Sequence, residues 1–211
     1  MSTAERRDEV AVQPPRSGLD LSDFPRRSVR KDTLWYREHG PLGPWYFASG
    51  PNGRYNLDAP SGTLYLANTE MAAARERVGR ALASTQRIPA SLVDDRSVSC
   101  LLMPMECSLA YLTSGPADQW GVVANELATV TPYDVPRAWA HAFHAAGFDG
   151  IWTCLRYGNA SARGVALFGA EGPRGWPVHD RTKPLREVLE SNHYKVVDAP
   201  HSSQITWVDP D

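Results

Sequence analysis

Cysteine is scarce in this 211-residue chain: Cys100, Cys107 and Cys154 form an odd set with no Cys-x-x-Cys pair. That spacing offers nothing to a zinc ribbon or a dithiol redox centre, and it suits a reducing, cytoplasmic setting. Cys100 and Cys107 fall in apolar surroundings and read as core rather than as nucleophiles. No apolar run reaches the length of a membrane span and no signal peptide is visible, so no membrane partner is expected. An excess of one charge is missing too. A net charge of -2 gives no global drive toward nucleic acid or an anionic surface. The patterns G-x-S-x-G, G-x-x-x-x-G-K and H-E-x-x-H do not occur, which sets aside the nucleophile-elbow hydrolases, the P-loop nucleotide binders and the zincins. Internal repeats are absent as well.

What is present is an ordinary globular composition, 42% hydrophobic and 22% charged, with 17 Pro and 7 Trp. One domain with a substantial core is the natural expectation. Residues 1–31 carry Pro14-Pro15, many charges and almost no aromatic residue before Phe24, so they read as a flexible N-terminal tail ahead of a single domain at 32–211. Within the tail, Arg26, Arg27, Arg30 and Lys31 are either solvated charge or a partner contact.

The stretch from Gly53 to Glu76 is the densest in signals. Pro51-Asn52-Gly53 marks a turn that presents Arg54. A second turn, Pro60-Ser61-Gly62, leads into the β-rich run Thr63–Ala67, which includes Tyr65. Asn68 or Thr69 then caps a helix over about 71–86, with Met71, Ala74, Val78, Ala81 and Leu82 as its apolar stripe. Glu76 lies off that stripe, with Ala72, Ala73, Gly79 and Arg80 as its neighbours one turn away. It is either a solvated partner of Arg80 or a carboxylate with open room around it.

Elsewhere, Leu34-Trp35-Tyr36-Arg37 and Trp45-Tyr46-Phe47 read as two aromatic strands joined by a Gly/Pro loop. Arg37 then pairs with a surface acid or offers a guanidinium fork to a phosphate. Ser97–Tyr111 is strand-like. Asp134 opens a helix whose apolar face includes Trp139 and Phe143 and which Gly147 ends. His141 and His144 share that helix but have no third ligand at metal-site spacing, so no metal is expected. Ile151–Tyr157 and Gly164–Phe168 read as adjacent strands, Leu185–Ser191 as a short helix, and Tyr194–Val197 and Gln204–Val208 as closing strands. The order predicts an α+β fold with a mixed, curved or split sheet and a few helices.

One ordered set of residues carries a resemblance. Leu34-Trp35-Tyr36-Arg37, then Gly53-Arg54-Tyr55-Asn56, Tyr65, Glu76, Asp149-Gly150-Ile151 and Val165–Phe168 together resemble the RES-domain family, across roughly 33–211. That family comprises bacterial NAD-degrading toxins of toxin–antitoxin modules, with a fold similar to the ADP-ribosyltransferase core. The resemblance implies that NAD is the substrate, that no further cofactor is required, and that inorganic phosphate or water is the acceptor. It implies a helix-turn-helix antitoxin as partner. It gives Glu76 the role of stabilising the oxocarbenium-like state that glycosidic cleavage passes through. Arg37 and Arg54 would serve the pyrophosphate, while Tyr36 and Tyr65 line the ligand site. The chain departs from the family at Leu155, where a Ser is common, and Thr153 is the nearest substitute on the same strand face. Two rival readings follow: a transferase placing ADP-ribose on a protein, and a binding module that has lost turnover.

Overall fold

The computed structural model describes residues 11–180 and 182–199. The strands are β1 (Arg26–Val29), β2 (Leu34–His39), β3 (Ser61–Ala67), β4 (Ile88–Pro89), β5 (Ser97–Leu102), β6 (Cys107–Tyr111), β7 (Gly150–Cys154), β8 (Arg163–Ala170), β9 (Lys183–Pro184) and β10 (Val196–Val197). The α-helices are α1 (Glu70–Thr85), α2 (Ala124–Thr129), α3 (Asp134–Ala145) and α4 (Leu185–Ser191). Eight strands form one sheet in the order β1-β6-β7-β8-β3-β2-β5-β9, and β4 pairs with β10 apart from it. Within the large sheet only β6 and β7 run parallel, and the crossover between them contains α2 and α3. The fold is α+β, as the element pattern predicts.

Alternation along the central strands divides the core in two. Leu64, Leu66, Val165 and Leu167 point to one face, where Trp35, Trp45, Phe47 and Leu101 cover them. Tyr65, Ala67, Ile151 and Ala166 point to the other face, where the helices pack. α1 starts where Thr69 accepts the N–H of Ala72 at 3.1 Å, and it stops at Gln86, whose φ of 56° is left-handed. It buries Ala72, Ala73, Ala74, Val78 and Gly79, so small residues bring the helix close to the sheet.

The pairing of β2 with β3 is the weak point of the ladder. β3 pairs with β8 along its whole length, from Ser61–Ala170 to Ala67–Gly164, whereas β2 meets β3 only at Tyr36–Ala67. Beyond that pair the two strands splay, although the eight strands remain one mixed sheet rather than a split one.

Four expectations need correction. Residues from 12 to 29 are not a tail. Val12, Leu21 and Phe24 are buried with Trp139 and Phe143, and β1 pairs with β6. Their apolar side chains are too sparse to show a period, and long-range bonds hold the segment: the Trp139 indole N–H donates to the Gln13 carbonyl at 2.9 Å, and the Trp120 indole to Asp20 at 3.0 Å. Arg26 and Arg27 are not simply solvated, since they lie over the rings of Phe148 and Trp152 at 4.0 and 5.0 Å. Trp45–Phe47 forms no strand; Phe47 and Ala48 make single bridges to Gly172 and Thr63. The strand expected to run to Tyr157 ends at Cys154, and the one expected at 204–208 lies outside the described residues.

Candidate active site

The splay of β2 from β3 opens a cleft of about 660 Å³ on the helical face of the sheet. Its walls bring together Tyr36, Arg37, Arg54, Tyr65, Glu76 and Thr153, residues separated by up to 117 positions (153 minus 36) in the chain. His141 and His144 lie outside it. His141 Nε2 is 3.3 Å from Asp58, and the His144 ring meets Phe168 edge-on.

Each side chain is placed by its own local device. The loop carrying Arg54 is stapled to β3. Thr63 donates to the Tyr55 carbonyl at 2.8 Å, and the Tyr65 hydroxyl accepts the Tyr55 N–H at 2.8 Å while donating to Asn56 Oδ1 at 2.9 Å. Gly53 has no room for a side chain, because a Cβ there would overlap the Asn56 amide. Arg54 leaves this loop to donate from Nη1 to the carbonyls of Leu127 and Val130 at 3.1 and 2.6 Å, at the C-terminal end of α2. Its guanidinium also lies 4.7 Å from the Tyr133 ring. Arg37, next to Tyr36 on β2, lines the cleft and donates to the Pro44 carbonyl at 2.7 Å. Burial pushes its pKa down to about 10, so it remains a cation at neutral pH.

Tyr65 is more than an aromatic wall. Its hydroxyl is held neutral by burial and supports two bonds of the Arg54 loop. Tyr65→Phe strands one buried donor and one acceptor, a loss of about 1–3 kcal/mol. Thermal melting of the variant is expected to show that destabilisation. An unchanged melting temperature would mean that the loop does not depend on the hydroxyl.

Glu76 does not pair with Arg80. Its Oε1 accepts the N–H of Tyr157 at 2.8 Å, from the turn that follows β7. Burial raises its pKa above the ordinary glutamate value; the Tyr157 N–H, Arg54 and Arg156 act the other way. Thr153 is buried, and its hydroxyl lies 3.3 Å from that of Tyr55. Because β7 ends at Cys154, strand alternation does not extend to Leu155, which lies in the turn and also lines the cleft. Cys154 reaches the same wall, with Sγ 3.4 Å from Asn125 Oδ1.

Several lining residues were not legible as site residues. Arg77, Arg80, Arg96 and Arg156 join Arg37 and Arg54, giving six arginines against two acids, Glu38 and Glu76. Glu38 is taken up by Arg96 through a two-pronged ion pair, in which Nη2 lies 3.0 Å from Oε2. Glu76 is then the acid of the cleft with no arginine hydrogen-bonded to it, and Arg54 and Arg156 are the cations that act on its charge. Guanidinium groups lining a cleft can hold phosphate or carboxylate oxygens through paired hydrogen bonds.

Fold and cleft together define an α+β domain with an arginine-lined cleft that also holds the carboxylates of Glu38 and Glu76. The family model described as RES domain matches residues 25–186, and the chain belongs to that family. Among solved structures, it is similar to a chain in the crystal structure of the M. tuberculosis MbcT–MbcA toxin–antitoxin complex. The two share 16% identity with a TM-score of 0.58, over 77% of this chain and 90% of that one, which shows a common fold. No curated protein matches the chain. Among the described residues, no helix is long and apolar enough to cross a membrane.

Proposed function

We propose that this cleft binds NAD and cleaves the bond between nicotinamide and ribose, with phosphate or water as acceptor, and that the chain is the toxin of a toxin–antitoxin pair. The observation that carries this is Glu76: a half-buried carboxylate, oriented by a backbone amide and acted on by Arg54 and Arg156, in an arginine-lined cleft of a RES-family chain. Arginine forks suit the pyrophosphate. The carboxylate suits the cation that develops on the ribose as nicotinamide departs. The C–N bond breaks with its electron pair going to nicotinamide, and the acceptor oxygen then bonds the ribose carbon and loses its proton. Nicotinamide leaves as a neutral base, so no strong general acid is needed. The antitoxin partner is supported by the complex in which the structural relative was solved.

A second reading, a binding module without turnover, is favoured by one observation: Leu155 lines the cleft where a hydroxyl is expected. The test is incubation of the purified protein with NAD, with and without phosphate, followed by chromatography. Release of nicotinamide is expected, with ADP-ribose-1-phosphate formed only when phosphate is present. Intact NAD after hours, together with cleavage by Leu155→Ser, would establish the second reading instead.

A further inference from the structure

Gly79 stands one turn beyond Glu76 in the middle of α1, where alanine is the better helix former. The reason for glycine is spatial. A Cβ at this position would lie 2.6 Å from both Cβ and Cδ1 of Tyr157, with Cγ nearer still. The Tyr157 ring therefore rests directly on the helix backbone. The N–H of the same residue donates to Glu76 Oε1 at 2.8 Å. Ring and amide belong to one turn, closed by the Gly158 N–H donating to the Leu155 carbonyl at 3.4 Å. This turn is thus held on α1 at two points: Gly79 receives the ring and Glu76 receives the amide.

We propose that Gly79 and Tyr157 are positioning residues for Glu76: the glycine sets how closely the 155–158 turn approaches α1, and the amide of that turn fixes the direction of the carboxylate. The proposal rests on Glu76 being the group that stabilises the ribosyl cation. With Oε1 taken by the amide, Oε2 is the oxygen presented to the ribose. A small displacement of the turn would rotate the carboxylate, and misplacement of about 1 Å costs about a hundredfold in rate. The charged and titratable groups around Glu76 are Arg54 from its loop, Arg156 from the turn, Arg80 along α1, Tyr55 and the Cys154 thiol. Arg54 and Arg156 hold the carboxylate pKa down together with the amide, against burial. Removing the amide leaves burial less opposed, so the carboxylate must titrate at higher pH.

The test is Gly79→Ala, read in two ways. The first is the titration of Glu76 by carboxyl NMR on glutamate-labelled protein, with the signal assigned by its disappearance in Glu76→Gln. The second is the kinetics of NAD cleavage. In Gly79→Ala, Glu76 is expected to titrate at higher pH than in the native chain. At neutral pH, kcat falls about tenfold to a hundredfold while KM holds, and the acid limb of the pH profile moves up with the titration. Tyr157→Phe keeps both ring and amide, and titrates Glu76 as the native chain does. Tyr157→Ala removes the ring and reproduces the shift; adding Gly79→Ala to it changes little, because the overlap is gone. If Gly79→Ala does not fold, Tyr157→Ala decides alone. A native Glu76 titration in these variants overturns the proposal. A native protein that never cleaves NAD overturns the proposed function instead, and the titration still decides the positioning.

Discussion

Glu76→Gln is expected to reduce NAD cleavage by about a hundredfold to a thousandfold, the usual cost of deleting one preorganised electrostatic group. The amide keeps the shape and can still accept the Tyr157 N–H, so the fold and NAD binding through the arginines should persist. Stability is expected to move in the opposite direction. The pKa of Glu76 is raised in the folded chain, so between the unfolded value and the folded one the native state binds more protons. Stability due to this group therefore falls as pH rises through that window, and at neutral pH the native carboxylate is a burden that Gln removes. Thermal melts at pH 7 should show Glu76→Gln no less stable than the native chain, and the difference should vanish in acid. For the same reason, the acid limb of native activity should lie above the ordinary glutamate range. A variant that keeps near-native turnover would remove Glu76 from the mechanism.

Arg54→Ala is expected to act chiefly on binding. Hydrogen bonds to a charged group are worth about 1.5–3 kcal/mol, or about tenfold to a hundredfold in KM for NAD. Both of the Arg54 bonds within the protein use Nη1, so among the described residues Nε and Nη2 are the donors left for a ligand. The same bonds cap the end of α2, and the variant should also melt earlier. Arg54→Lys separates the two roles: it keeps the charge but loses the fork, and should recover only part of the affinity. Steady-state kinetics alongside melting curves would show it. Unchanged KM in Arg54→Ala would place the pyrophosphate elsewhere.

Local rules made α1, its Thr69 cap and α4 legible, because periodicity and capping act over a few residues. The residues proposed for the site were found by their order along the chain, and the structure brings them into one cleft. Arg96 and Arg156 were not found, because nothing local distinguishes a cleft arginine from a solvated one. Their roles depend on strands distant in sequence. The packing of residues 12–29 was hidden for a related reason: Val12, Leu21 and Phe24 are isolated apolar residues whose partners, Trp120, Trp139, Phe143 and Phe148 among them, lie far along the chain. The end of β7 at Cys154 was missed because the β-favouring pattern continues to Tyr157. The turn there is fixed by α1, through Glu76 and Gly79.

The single contact of β2 with β3 has a mechanical consequence. The sheet is made of two plates that meet along a short seam, which acts as a hinge in the ladder: β1, β6, β7, β8 and β3 on one side, β2, β5 and β9 on the other. α1 straddles this seam: it packs against β2, β5 and α4 and also against β3, and the 155–158 turn after β7 is fastened to it at Glu76 and Gly79, while Arg37 belongs to β2. Thr153 and Arg156 belong to or adjoin β7, on the opposite plate, and Arg54 is stapled there through β3. α1 therefore bridges the two plates where the ladder between them is thinnest, and it holds Glu76 beside the turn that carries Arg156. A ligand that touches both plates acts as a clasp across the hinge. The free energy of its binding then opposes separation of the two halves as well as unfolding of the whole.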